Sequence, residues 1–493
     1  MKRCTPEAAG IRSSQVKKFY DFLDACNLST HSVIMSRCGK IFTECYFEPF
    51  GEDFLHRMYS VSKTFVSIAV GFCIQDGLLS LDDEMDKFFP EHTGKEGAII
   101  HKTTVRELLS MQTEQTGANW FRQHPSDRSE VYFRTPATKK SGTLFDYDSS
   151  GSYMLGVIVE KLTGKPFIRY LQEKVLDDIG FSKDAYCIKA PGGYSFGDSG
   201  VMCTARDLHL FARFVMNGGV WNGKRYLNEE YIRAATDMRV CTNDYGFLDH
   251  GSFGYGYLIW GAPNGCYSML GMGNQVALCD PKHDFIFVIN SDNQGNARGY
   301  EQIFTALYLC IINELGDPLP ENGEEYAILE NSLKNKKLFC LGGEKSSDFA
   351  EKINGATFVC AENPMKIELF CLEFEGDEGV FRYKNATGDK ELRFGFGHNV
   401  FMPFPEEGYS DLTANVRAEG NFYDAAISAD WCEAQALRIR VQIIDKYFGN
   451  LGIVFGFKNE NEVSVRMSKT AEDFLQEYNG VMNAERQNIA QTS

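Results

Sequence analysis

The segment that most limits what this chain can fold into runs from Ser60 to Gln75, Ser-Val-Ser-Lys-Thr-Phe-Val-Ser-Ile-Ala-Val-Gly-Phe-Cys-Ile-Gln, followed by Asp76-Gly77. It reads as a helix, and the Asp-Gly pair is a C-terminal stop signal. Its apolar residues fall nearly all round the helix rather than along one stripe, and such a helix has to be enclosed by its domain. A lysine inside it, Lys63, needs a reason, because lysine is rarely buried.

The flanking sequence supplies material for that enclosure. Residues 15–26 place Val16, Phe19, Phe22 and Leu23 on one helical face. His31 to Met35 and Ile41 to Phe47 flank the turn Arg37-Cys38-Gly39-Lys40 and read as a hairpin. Val276 to Asp280 and Asp284 to Asn290 flank Pro281-Lys282-His283 and read as a second, with a helix following near 300–314. Residues 1–320 therefore read as one α/β domain. The acidic stretch 316–335, with its prolines and glycine, marks a boundary, and 321–337 reads as a linker. Short alternating segments then recur between 365–374 and 461–467, predicting an all-β domain over 338–480, a sandwich or barrel. A last helix near 470–478 and a polar tail, 481–493, complete this expectation. At 493 residues and 43% hydrophobic content the chain is long enough for more than one core.

Charge and cysteine usage exclude some classes of function. With 67 acidic against 50 basic residues, a formal net charge of −17, the chain lacks the basic character of a nucleic-acid binder or of a protein that docks on an anionic membrane. Apolar runs are short and broken by charge, so no membrane span is expected. The start, Met1-Lys2-Arg3-Cys4-Thr5-Pro6-Glu7, carries no apolar stretch like that of a secretory signal. Fifteen cysteines are scattered singly, without a C-x-x-C pair, which suits free thiols in a reducing compartment. Together these readings predict a cytoplasmic protein. The histidines form no metal-binding spacing, and neither a metal nor another cofactor is implied.

The chemistry gathers around Lys63. A serine hydroxyl is a poor nucleophile until a neighbour can take its proton. Residues three apart on a helix share a face, and a buried amine gives up its proton more readily than an exposed one. Ser60-Val61-Ser62-Lys63 has that spacing, with Ser60 at a helix start where backbone N–H groups favour developing negative charge. Ser14-Gln15-Val16-Lys17 has the spacing too, on an ordinary amphipathic helix, so spacing alone decides nothing. Two further segments fit. Phe145-Asp146-Tyr147-Asp148-Ser149-Ser150-Gly151 precedes a helical pattern, and Tyr147 near a cationic lysine could act in proton transfer; alone it reads better as a core aromatic with a satisfied hydroxyl. Ser268-Met269-Leu270-Gly271-Met272-Gly273-Asn274-Gln275 has glycines that would let backbone approach a ligand and offer an N–H to an oxyanion; alone it reads as well as a turn between strands.

Taken in order, these segments resemble the β-lactamase-related serine hydrolases, the superfamily of class C β-lactamases, D-alanyl-D-alanine carboxypeptidases and a group of esterases. The resemblance runs over about residues 5–315. It includes Met58 to Phe65, Asp76 to Asp83, Leu108-Leu109-Ser110-Met111, Thr163-Gly164-Lys165, Ala205-Arg206-Asp207-Leu208 and Gly254-Tyr255-Gly256-Tyr257. It implies an α+β fold: an antiparallel sheet flanked by helices, with a helical insertion, ahead of the all-β domain. It also implies Ser60 as nucleophile, Lys63 and Tyr147 as proton-transfer groups, and the backbone N–H groups of Ser60 and Met272 as the oxyanion hole. Ser149 stands in place of the asparagine of the family's Y-x-N motif, and Met269-Leu270-Gly271 in place of K-T-G or H-x-G. Ser149, Gly271 and Gln275 are then the expected substrate contacts. The third motif offers no cationic or hydroxyl side chain for a substrate carboxylate, which favours a small-molecule ester or amide over a β-lactam or a D-Ala-D-Ala peptide. The rival readings are a D-amino-acid peptidase or β-lactamase, and a catalytically weak binding or sensor protein on the same fold. The second domain has three open roles: covering the cleft, forming a homo-oligomer or binding a ligand of its own.

Other motifs in the chain lack the context their chemistry needs. Gly193-Tyr194-Ser195-Phe196-Gly197 matches G-x-S-x-G but lacks the strand before and helix after that the nucleophile elbow requires. Gly218 to Lys224 resembles a phosphate loop, but Arg225 stands where a Ser or Thr should follow the lysine, so it reads as a turn. His56, four residues before Ser60, reads either as a lining residue or as structural.

Overall fold

The structure is a computed structural model describing residues 1–96, 102–115, 127–242, 253–407, 420–472 and 474–487. The chain forms two compact units, the first spanning Met1–Lys337 and the second beginning at Leu338.

The first unit is organised by a seven-stranded sheet. Its strands are β1 (Lys2–Arg3), β2 (Thr30–Arg37), β3 (Lys40–Tyr46), β4 (Trp260–Gly261), β5 (Tyr267–Gly271), β6 (Gln275–Asp280) and β7 (Phe285–Ser291), in the order β1-β3-β2-β7-β6-β5-β4. The hairpins β2–β3 and β6–β7 are the two expected from sequence; β1, parallel to β3, departs from the otherwise antiparallel ladder. Because successive side chains point to opposite faces, Phe287 and Thr43 meet α1 (Ser13–Ala25) on one side, through the Phe19 ring and the Tyr20 hydroxyl. Ser36 and Cys279 meet His209 and Ala212 of α4 (Ala205–Met216) on the other. Both faces are thus covered, which is why β7 is buried at every position. On α1 the buried aromatic beside Phe19 is Tyr20, and Phe22 is only half-buried.

Against this sheet-and-helix frame lies α2 (Ser62–Gln75), packed on α3 (Ser149–Thr163). Every residue from Ser62 to Cys73 is buried, as the all-round apolar pattern demands. The helix is preceded by a 3₁₀ turn, Tyr59–Val61, so Ser60 sits just ahead of the α-helix proper. A last helix of the frame, α5 (Gly299–Cys310), packs against α1.

The expected linker is a correction. Residues Gly323–Lys334 form a helix of the first unit that packs on α1 and buries Leu329. Asn322 caps it by accepting from the Glu325 N–H, and Glu324 and Glu325 lie in its first turn, where negative charge favours a helix start. The acidic run read as a boundary is a helix N-terminus.

The second unit is a barrel. Its strands are β8 (Thr357–Cys360), β9 (Leu369–Glu375), β10 (Glu378–Asn385), β11 (Gly388–Phe396), β12 (Val400–Pro403), β13 (Asp424–Glu433), β14 (Ala436–Ile444), β15 (Phe448–Asn459), β16 (Glu462–Thr470) and β17 (Gly480–Arg486). They run β11-β10-β9-β8-β17-β16-β15-β14-β13-β12, and a parallel pairing of β11 with β13 closes the ring. Inward positions alternate along each strand, as Val463, Val465 and Met467 do on β16. Phenylalanine rings fill the interior, with Phe370 in contact with Phe358, Phe381 and Phe455. Two expectations fail here. The stretch 470–478 is not helical; its described residues form turns that bury Phe474, Leu475 and Tyr478. The first part of the expected tail is β17, which pairs with both β8 and β16 and buries Met482 and Ala484. Its polar residues face outward, which is what made it look like a tail. Residues 488–493 lie outside the described residues.

Candidate active site

Ser60 enters the site from a constrained segment. Strand pairing of His56 with Cys203 and Arg57 with Met202 pins the approach, and Met58 N–H donates to Val201 O at 2.8 Å. Tyr59 then adopts φ 46°, the left-handed region that a non-glycine residue enters only when its surroundings hold it there. It is fully buried, with the Arg57 guanidinium 4.3 Å above its ring. This turn presents Ser60, half-buried, at the head of α2.

Lys63, one turn further, is 2% exposed. Its Nζ donates to Ser60 Oγ at 2.9 Å and to the backbone carbonyl of Asp198 at 2.8 Å. Both partners are uncharged, and the carbonyl fixes Nζ against the hydroxyl. Nucleophile and base within hydrogen-bond reach, with the base oriented by a third group, is the geometry of an activated serine. The second Ser-x-x-Lys copy shows the contrast: Lys17 is half-exposed on α1 and pairs with Asp21.

Tyr147 lies beside the pair, with Lys63 Nζ 5.0 Å from its ring centroid. Trp260 of β4 stacks on its other side at 5.4 Å. The next residue, Asp148, anchors the chain here and was not among the residues expected from sequence. Asp148 caps α3 by accepting from Ser150 N–H at 2.9 Å, accepts from Thr113 Oγ1 at 2.8 Å, and donates its own N–H to Met111 Sδ at 3.2 Å. Its burial raises its carboxyl above the usual range, against the hydrogen bonds from Ser150 and Thr113. An aspartate just before an apolar helical pattern is an N-cap signal that was available in the sequence. Ser149 follows as the first helical residue, half-buried.

The fourth wall is the end of β5 and the turn into β6. A Cβ at Gly271 would lie 2.4 Å from the carbonyl oxygen of Met58. Only glycine lets this strand pass so close to the backbone leading into Ser60. The turn that follows places Gly273 at φ 77° and Asn274 at φ 70°, and leaves the Met272 side chain 37% exposed. Among the described residues the Met272 N–H has no acceptor within the turn.

Gln275 corrects an expectation. It is wholly buried, and its amide is committed internally: Nε2 donates to Met272 O at 2.9 Å and Ser291 O at 2.6 Å, and Oε1 accepts from Asn290 Nδ2 and Ser291 N–H, both at 3.2 Å. It braces the turn and presents no surface to a substrate. Met269 and Leu270, in the position of the third motif, are buried as well.

The remaining motifs resolve as structure. Ser195 is buried in an irregular bridge to Lys189, its N–H directed at Glu160, and no helix follows it. Residues 220–225 are a two-stranded hairpin. His56 is buried, hydrogen-bonded to His31 Nδ1 at 2.8 Å, and burial pulls its imidazole down to about 3. All fifteen cysteines are free. Among the described residues no group of three His, Cys, Asp or Glu could hold a metal ion, and no helix is long and apolar enough to cross a membrane.

The chain is similar to several known proteins. The family model described as Beta-lactamase matches residues 17–308. The 6-aminohexanoate-dimer hydrolase of Paenarthrobacter ureafaciens is 26% identical over 283 residues, 52% of this chain and 71% of the relative. The lovastatin esterase of Penicillium rubens is 24% identical over 161 residues, 27% of this chain and 40% of the esterase. A solved structure from Bacillus anthracis, named as a candidate 6-aminohexanoate-dimer hydrolase, shares the fold with a TM-score of 0.53 and 20% identity, covering 64% of this chain and 86% of its own.

Proposed function

Because this chain belongs to the beta-lactamase family, we propose that it is a serine hydrolase of small esters or amides working through an acyl-enzyme on Ser60. The observation that carries the reading is the 2.9 Å contact between Lys63 Nζ and Ser60 Oγ, with Lys63 buried and oriented by the Asp198 carbonyl. Lys63 takes the hydroxyl proton as Oγ attacks the substrate carbonyl. The carbonyl oxygen becomes an oxyanion held by the N–H groups of Ser60 and Met272. Tyr147, beside Lys63, relays the proton to the departing alkoxide or amine. Water then attacks the acyl-enzyme by the reverse path, releasing the acid and restoring Ser60.

The bond class follows from the residues at the end of β5. With Met269 and Leu270 buried, neither side chain can pair with a substrate carboxylate, a group that β-lactams and D-Ala-D-Ala peptides both carry. The names of the relatives support the two bond types separately: one is named for an amino-acid dimer, which is joined by an amide, and one for an ester.

Intact-protein mass spectrometry after exposure to p-nitrophenyl acetate tests the proposal. An acetyl adduct on the native chain that is lost in Ser60→Ala is expected. Absence of an adduct across several acylating esters would favour a binding protein instead, and fast turnover of a chromogenic β-lactam without esterase activity would favour the β-lactamase reading.

A further inference from the structure

The peptide unit that joins Gly271 to Met272 has two ends, and each has a partner of a different kind. Its N–H is the proposed oxyanion donor. Its C=O accepts a hydrogen bond from the hydroxyl of Tyr300, at 2.5 Å. Tyr300 is the second residue of α5, distant in sequence and in a separate element from every residue assigned so far. We infer that Tyr300 is a positioning residue of the hydrolysis, holding the Gly271–Met272 peptide plane and polarising it so that the Met272 N–H binds the oxyanion more strongly; this rests on the reading of Met272 as oxyanion donor.

The physical argument has three parts. An amide is one conjugated unit, so drawing electron density toward its oxygen makes its N–H a better donor; chained hydrogen bonds strengthen one another by roughly 10–30% each. The peptide also needs an external hold. The β5–β6 ladder ends at the Gly271–Gln275 pair, and the Met272 side chain just beyond it is 37% exposed. Gln275 fixes the following carbonyl, that of Met272, and the Tyr300 hydroxyl adds a hold on the Gly271 carbonyl at the end of the ladder. Finally, α5 is docked on this turn. A Cβ at Gly299 would lie 2.2 Å from Asn274 Oδ1, so the helix start is seated directly against the turn it braces. Burial, with a contribution from Tyr147, raises the Tyr300 hydroxyl well above its ordinary value and keeps it a donor.

Tyr300→Phe removes the hydroxyl and keeps the ring. It weakens the N–H donor without deleting it, so kcat for p-nitrophenyl ester hydrolysis should fall about tenfold, short of the ~100- to 1,000-fold cost of losing a donor outright. KM and thermal midpoint should hold, and affinity for a boronic-acid analogue of the tetrahedral state should fall by the same factor as kcat. A merely structural hydroxyl would lower the thermal midpoint and leave the ratio of analogue to substrate affinity unchanged, and that result overturns the proposal, as does wild-type kcat. If the phenylalanine variant does not fold, Tyr300→meta-fluorotyrosine, whose hydroxyl is a stronger donor, should raise the analogue affinity; unchanged or lower affinity refutes the role. Native chain that forms no Ser60 adduct overturns the parent reading, and this inference with it; an adduct-forming native chain with an unaffected Tyr300→Phe variant overturns this inference alone.

Discussion

Gly271→Ala is the smallest change that should disable the site without touching a reacting group. The added methyl would lie 2.4 Å from Met58 O, at least 0.6 Å inside the 3.0 Å limit below which real Cβ contacts are essentially never seen. Gln275 Cβ stands 3.1 Å away, so the strand has little room to retreat toward β6. The obstacle is backbone, not a flexible side-chain tip, and it lies two residues before the nucleophile. Relief therefore comes from moving either the end of β5 or the Met58–Ser60 turn by something near 1 Å, and a displacement of that size costs about 100-fold in rate. Overpacking itself destabilises by roughly 1–3 kcal/mol, a thermal shift of a few degrees in a unit this large. Steady-state hydrolysis of p-nitrophenyl acetate beside a calorimetric scan separates the two effects. The expected result is a large fall in kcat/KM on a folded protein. A variant that keeps kcat/KM within about threefold of wild type would show that the close approach of β5 to Met58 has no bearing on catalysis.

Further outcomes follow from the same geometry. Ser60→Ala should abolish acylation while Ser195→Ala leaves it intact, because Ser195 is buried in a loop with no helix after it; esterase assays of both variants decide it. Lys63→Met, close in volume, should keep the fold by circular dichroism yet lower the rate of Ser60 acylation by ~100- to 10,000-fold, the usual worth of a positioned general base. Acid should loosen the first unit. His31, His56 and His209 are buried with imidazoles pulled below the ordinary 6.5 by desolvation, His56 and His209 to about 3. The unfolded chain then binds more protons than the folded one as pH drops below 6.5, so stability is present above that value and lost beneath it, by about 1.4 kcal/mol per pH unit for each histidine. Chemical denaturation at pH 7 and pH 5 should show the loss, and His209→Gln should reduce the slope.

How much of this was legible in the sequence can be judged residue by residue. The enclosed α2, with Lys63 buried inside it, was readable because burial leaves a direct mark: a helix with no polar face has nowhere to go but inside. Strand pairs such as β6–β7 were readable because their turns are short. Asp148 could have been found from its N-cap position. Tyr300 and the Asp198 carbonyl could not, since one acts from a helix that topology brings back to β5 and the other through a backbone atom that has no residue identity. Gln275 was misjudged for a related reason: polar residues look like ligand contacts in a sequence, whereas a buried amide beside a turn is most often used to satisfy backbone groups. The helix Gly323–Lys334 and β17 were missed because their outward faces are polar, with Leu329 on one and Met482 and Ala484 on the other as sparse signals of an inner face.

The two Ser-x-x-Lys copies show where the chemical information resides. Ser14 and Lys17 share the spacing of Ser60 and Lys63, yet Lys17 reaches across a helical turn to Asp21 at 2.8 Å and is 35% exposed, whereas Lys63 is 2% exposed and held by a hydroxyl and a carbonyl. One lysine is committed to a carboxylate at the surface; the other is enclosed and set against a hydroxyl. The same reasoning extends to the substrate. A site that supplies a serine, an amine and two N–H groups, but buries Met269 and Leu270 where relatives with a cationic motif would meet a carboxylate, selects by what it lacks. Introducing a lysine at Met269 should therefore fail to add carboxylate recognition unless the side chain can escape the core, and a Met269→Lys variant that gained affinity for β-lactams on a folded protein would show that the buried third motif is not what sets the bond class.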